Sequence, residues 1–254
     1  MTLIDSHSHI DVADFDADRA QVLQRARAAG VTRHIVAGVT LATFGKLRDV
    51  CAAQAGLHPG YGLHPTFLAH HRPEHLVELE QWLEREKPVA VGECGLDFFI
   101  EGLDREAQHM YFERQLELAR EFDLPVIIHG RRAFDEVTAA VRRIGALRGV
   151  VHSFAGSLEQ AQQLWKLGFC IGIGGPITYA RARRLRSIVA KMPLEFLLLE
   201  TDSPDQPLHG RQGKRNEPAL LSEVCETVAM LRGESAQHVA AATTENAVRL
   251  FRLP

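Results

Sequence analysis

The chain has 254 residues, 46% of them hydrophobic and 24% charged, which excludes a disordered chain, a collagen and a disulfide-stapled miniprotein. Its apolar runs are short, Phe196-Leu197-Leu198-Leu199 being typical, far below the roughly 18 residues that span a bilayer. The net charge of −3 conceals an asymmetry, because Pro125 to Arg215 carries 14 Lys and Arg against 7 Asp and Glu; such a segment either faces a polyanion or consists of solvated helix faces.

The N-terminus meets Asp5 at once and shows no basic start, apolar stretch or cleavage site, so the sequence reads as a soluble, cytoplasmic protein without membrane contact. No linker or composition break interrupts residues 1–254, which read as a single domain and, by default, a monomer. In chain order the apolar runs are Leu3-Ile4, Ile35-Val36-Ala37, Tyr61-Gly62-Leu63, Val89-Ala90-Val91, Val126-Ile127-Ile128, Gly149-Val150-Val151, Phe169-Cys170-Ile171 and Phe196 to Leu199. Helix-sized segments separate them. Phe112, Leu116 and Ala119 mark one helix that Pro125 stops, and Leu221, Val224, Val228 and Leu231 mark the stripe of another. Continuous apolar strands are buried on both faces, as in a parallel sheet covered by helices. Eight such units in this length predict an α/β fold, a (β/α)8 TIM barrel with its site at the C-terminal ends of the strands. A doubly wound open sheet is the rival, but it would show a glycine fingerprint after the first strand, and here histidines follow. The cysteines Cys51, Cys94, Cys170 and Cys225 are scattered and read as reduced structural thiols.

Chemistry-bearing residues stand where the strands are expected to end. Asp5-Ser6-His7-Ser8-His9 follows the first strand, and alternation along an extended segment puts His7 and His9 on one face, with Asp5 on it too. Glu93 and Asp97 follow the fourth strand, His129 the fifth, His152 the sixth, and Glu200 and Asp202 the eighth. A lone histidine there is more often structural than ligating, and Asp97 or Asp104 can be a helix N-cap. Four histidines and two carboxylates on one rim are a different matter. They suit zinc, manganese, iron or nickel, and the set is too large for one tetrahedral ion and right for two.

The same residues resemble the TatD family of metal-dependent hydrolases. The resemblance rests on Asp5-x-His7-x-His9, Gly62-Leu63-His64-Pro65, Gly92-Glu93-x-Gly95-Leu96-Asp97, His129 with Arg131, His152-Ser153-Phe154-x-Gly156-Ser157, and Glu200-Thr201-Asp202-Ser203-Pro204. It extends from residue 3 to the Thr244-Glu245-Asn246 segment, and the stretch Gly172 to Pro218 is closest to the YjjV-like branch. It implies a barrel of the amidohydrolase superfamily type with deoxyribonuclease activity. In that pattern His7, His9, Glu93 and Asp202 hold one metal, while Glu93, His129 and His152 hold a second, with Glu93 bridging. His64 is preferred to His58 as the family's additional histidine.

Two divalent ions (zinc, manganese or magnesium) in such a site suit phosphodiester hydrolysis by an activated water. Asp202 is the expected general base. His64 would bind the phosphate or protonate the leaving oxygen, and Arg131 would contact phosphate. Arg181, Arg183, Arg184 and Arg186 are candidates for a nucleic-acid track. A nucleic-acid substrate, cut from an end of single-stranded DNA or RNA, is therefore expected. The alternative is an ester or amide hydrolase with the same metals, such as a D-aminoacyl-tRNA deacylase or a small-molecule amidohydrolase. A non-catalytic binding module has no need of a poised base and ranks last.

Overall fold

An apolar run of this kind forms a strand because its two faces must both be hidden, one inside the sheet and one under a helix. The computed structural model describes residues 1–254 and contains eight parallel strands, each paired with its sequence neighbours: β1 (Leu3–Ser8), β2 (Val31–Ala37), β3 (Leu57–Tyr61), β4 (Ala90–Asp97), β5 (Val126–Arg131), β6 (Gly149–Val151), β7 (Cys170–Ile173) and β8 (Leu197–Leu199). Helices α1 (Arg19–Ala28), α2 (Phe44–Ala53), α3 (Glu74–Glu86), α4 (Arg105–Glu121), α5 (Phe134–Ile144), α6 (Leu158–Lys166) and α7 (Arg183–Val189) connect them, and α8 (Leu221–Arg232) and α9 (Ala236–Phe251) follow β8. This is the expected (β/α)8 barrel. No helix is long and apolar enough to cross a membrane.

The two helices anticipated from apolar spacing are α4 and α8. Asp104 caps α4 by accepting from the Glu106 and Ala107 amides, and a Ser157–Gln160 capping box starts α6. All four cysteines are free and buried. Burial pushes the thiols up, Cys170 to about 11, so they remain protonated and inert.

Several strand boundaries differ from the sequence expectation, β1 among them, since it runs to Ser8 and so contains Asp5 and His7. The third strand is Leu57–Tyr61 and not the Tyr61-Gly62-Leu63 run. Pro59 lacks an amide proton, yet it pairs with Val36 in the ladder and its carbonyl accepts from Val89. β4 continues to Asp97 and β5 to Arg131, so Glu93 and His129 lie within strands and not after them.

The barrel's interior is divided along its axis. At the N-terminal end Ile4, Ile35, Ala90, Ile127, Val150, Cys170 and Leu198, one from each of seven strands, pack on Ala247, Leu250, Phe251 and Leu253. The C-terminal helix is therefore a plug. One step of alternation further along, the same inward positions become His129, His152 and Glu200. The seam between β8 and β1 is joined at that polar end, where Asp202 donates its amide to the His7 carbonyl (2.9 Å) and His9 to that of Ser203 (2.8 Å).

Phe251, 2% exposed, fills the plug. Phe251→Ala should cost about 3–5 kcal/mol in denaturant unfolding; a loss under about 1 kcal/mol would show that the barrel floor does not depend on it.

Candidate metal centre

Histidine and carboxylate atoms from six strands or the turns after them converge at the polar end of the barrel. On β1 and just beyond it, His7 and His9 bring their Nε2 atoms to 3.2 Å from each other. Glu93 Oε2 lies 3.2 Å from His7 Nε2 and 3.4 Å from His9 Nε2. Asp202 Oδ1 lies 3.4 Å from each. Four ligands at the roughly 2.0–2.1 Å of a zinc–nitrogen bond define a tetrahedron whose edges are about 3.3–3.4 Å. The five measured edges match it. Two imidazole nitrogens and two carboxylate oxygens aimed at one point are a set that could hold a cation.

The other oxygen of Glu93 faces a second group. Oε1 is 2.7 Å from His152 Nε2, 3.1 Å from His129 Nδ1 and 2.9 Å from His64 Nε2. The partners of the far ring nitrogens decide which of these can ligate. His9 Nδ1 donates to the Ala37 carbonyl (2.9 Å), leaving a lone pair on Nε2. His129 Nε2 donates to Asp97 Oδ2 (3.0 Å), leaving one on Nδ1. His64 has the reverse arrangement, since its Nδ1 accepts from the Thr66 amide at 3.2 Å and its proton belongs on Nε2. His64 thus faces Glu93 as a hydrogen-bond donor. His58, half-buried within β3, lies outside the cluster.

Electrostatics without a metal follow from this geometry. Burial opposes charge on His7, but attraction to Glu93 and hydrogen bonds to Asp202 and Glu93 outweigh it and raise the ring to about 10. His129 is likewise raised against burial, to about 9, by Asp97 and Glu93. Burial opposes ionisation of Glu93 too, yet the surrounding histidines hold it well below the carboxylate range. Asp202 is lowered in the same way by hydrogen bonds from His7 and His9. His152 goes the other way, to about 4, because burial and the His7 charge disfavour its cation, and burial also lowers His64.

Two sequence readings are corrected here. Asp5 does not join the histidines. A register shift between Asp5 and Ser8 breaks the alternation, and Asp5 instead accepts from the Thr201 amide and hydroxyl. Asp97 is not a helix cap but the group that orients His129, and it also receives the Phe99 and Ile100 amides. Its position four residues past Glu93 on the same strand was the available signal.

Two further residues were not singled out for a role. Glu200 lies under the site, with Oε1 3.8 Å from His152 Nδ1, and burial pushes it up to about 8. Gln206 links Asp202 Oδ2 to Ser153 Oγ. A long-range contact of that kind leaves no local sequence signal.

The cluster opens into a cavity of about 1130 Å³. Phe67 and Phe99 are exposed there. Arg131 lies at the rim with its guanidinium 3.7 Å from the centre of the Phe99 ring, outside the metal cluster.

Comparison with known proteins extends these observations. A family model described as TatD related DNase matches residues 4–252. The metal-dependent hydrolase YjjV of Escherichia coli K12 is 43% identical, covering 99% of this chain and 98% of its own. A 3'-5' ssDNA/RNA exonuclease TatD of Pantoea is 35% identical over 99% of this chain and the whole of its own. The crystal structure of Escherichia coli YjjV superposes with a TM-score of 0.96 at 42% identity, covering 99% of this chain and 98% of that one.

Protons and cations compete for the same lone pairs. With His7 raised to about 10 and His129 to about 9, both are protonated at pH 7 before metal enters, so uptake must release protons and affinity should rise between pH 6 and 9. Calorimetric titration with Mn²⁺ in buffers of different ionisation enthalpy measures this directly. A pH-independent affinity without proton release would contradict it.

Proposed function

The chain belongs to the TatD-related DNase family of metal-dependent hydrolases, and we propose that it hydrolyses phosphodiester bonds from an end of single-stranded DNA or RNA. The observation that carries this reading is the division of one carboxylate, Glu93, whose Oε2 faces His7 and His9 and whose Oε1 faces His129 and His152, beneath a large open cavity. The name of the Pantoea relative, an exonuclease on both nucleic acids, supports the choice of substrate.

The proposed ligands are His7, His9, Glu93 and Asp202 for one divalent ion, and Glu93, His129 and His152 for the other. Held there, such ions supply Lewis-acid polarisation of phosphate oxygens and a water acidified towards neutrality. Three ligands on the second group leave room for substrate, as a catalytic site requires. Histidine-rich coordination favours zinc or manganese as the copurifying metal, with magnesium or manganese supporting turnover.

Asp202 is the proposed general base. Its Oδ1 faces the first ligand set and its Oδ2, held by Gln206, is the oxygen available to take the proton of an attacking water. His64, neutral and carrying its proton on Nε2, donates a hydrogen bond to a phosphate or leaving oxygen. That tautomer stabilises developing negative charge without giving up its proton. Arg131, held over the Phe99 ring at the mouth, offers its guanidinium to a phosphate while the ring offers a face to a base.

Metal-stripped protein reloaded with Mg²⁺, Mn²⁺ or Zn²⁺ should shorten end-labelled single strands to a ladder resolved to one nucleotide. Asp202→Asn should lower the rate by roughly two to four decades while keeping the fold. Wild-type turnover in the variant would remove Asp202 as base. No cleavage with any metal, together with release of an amino acid from aminoacyl-tRNA or turnover of a simple ester or amide, would establish the acyl hydrolase instead.

A further inference from the structure

A second cavity of about 350 Å³ opens beside the metal cavity and shares Ser153, Ala155 and Arg184 with it. Its size is at the lower end of the roughly 300–1,000 Å³ range of small-molecule sites. The two differ sharply in charge. The metal cavity has Asp14, Glu93, Asp135, Glu136, Asp202 and Asp205 in its wall. The second has no carboxylate at all; Arg181, Arg183 and Arg184 line it.

These three arginines are exposed and none enters an ion pair, whereas Arg25, Arg114 and Arg215 elsewhere are each held by two or more carboxylates. Arg184 is steadied by donating to the Ala155 carbonyl (2.7 Å), and Arg181 lies 5.1 Å from the Tyr179 ring centre. Arg186, the fourth of the sequence cluster, is turned away and donates to the Ile177 carbonyl (2.7 Å). Phe154, Ile173, Pro176 and Leu185 add apolar surface.

An apolar wall beneath unpaired guanidinium groups recognises a flat heterocycle joined to a phosphate. We infer that this cavity is a subsite for the nucleotide flanking the scissile phosphodiester, holding its base on the apolar wall and its phosphate at Arg181 and Arg183. The inference rests on the phosphodiesterase reading and makes the enzyme prefer a polymer to a single phosphodiester. The strand runs from the metal cavity past Arg184 into the second cavity. Because the contacts are to phosphate and ring face, the subsite tolerates any base.

Binding and cleavage separate the two claims. Fluorescence anisotropy with fluorescein-labelled oligothymidylate, on metal-free protein, measures affinity alone. Arg181→Ala/Arg183→Ala should weaken binding at least tenfold and reduce the salt dependence by the roughly 0.7 units of slope expected for one phosphate no longer neutralised on a single strand. Arg27→Ala/Arg85→Ala removes the same charge from the last turns of α1 and α3, at the opposite end of the barrel, and should leave affinity unchanged. Unchanged binding in the first pair, or an equal loss in both, overturns the subsite. Hydrolysis of bis(p-nitrophenyl) phosphate, which has no flanking nucleotide, reports on the metal centre; its absence in the wild type with every metal counts against the phosphodiesterase reading, while the anisotropy result still decides the subsite.

Discussion

Glu93 is 2% exposed, and a carboxylate this deeply buried must be compensated on both oxygens or it will not remain ionised. Oε2 is faced by His7 and His9, and Oε1 by His64, His129 and His152. Those rings come from different strands and turns, so the requirements of one side chain fix where β1, β4, β5 and β6 end relative to each other. Asp202 repeats the logic across the seam, and its amide closes that seam on the His7 carbonyl. In the metal-free protein, protons on His7 and His129 supply the positive charge that divalent ions would supply.

The barrel can carry so many polar groups at one end because the other end is apolar throughout. The plug of Leu250, Phe251 and Leu253 against seven strands buries surface without any polar demand. Near the site, two glycines make the approach possible. A Cβ at Gly172 would run into Glu200 Oε2, so its absence is what gives that carboxyl room beneath His152. Gly95, with φ of +148°, lies so close to the His129 carbonyl that no side chain fits. The site thus depends on residues that contribute no chemistry and could not be larger.

The sequence made legible what is repeated or local. Eight apolar runs gave the barrel, alternation placed His7 beside His9, and position just after the fifth and sixth apolar runs gave His129 and His152. Irregularity defeated the same rule. Asp5 was assigned to the histidine face by alternation, but the β1 register shift turns it to Thr201. The third strand was placed on the apolar run Tyr61-Gly62-Leu63, whereas the ladder runs through the less apolar Leu57–Tyr61. Asp97, Glu200 and Gln206 hold groups 32, 47 and 4 positions away, and only folding shows which group each one reaches. The tautomer of His64 was beyond sequence reasoning for the same reason, since it is decided by one backbone amide two residues on.

The claim on which the rest depends is that Glu93 bridges two cations. Anomalous diffraction from crystals equilibrated with Mn²⁺ tests it most directly. The account predicts two peaks flanking the Glu93 carboxylate, about 3.5–4 Å apart, one among His7, His9 and Asp202 and the other between His129 and His152. A single peak, or two that do not share Glu93, would contradict it.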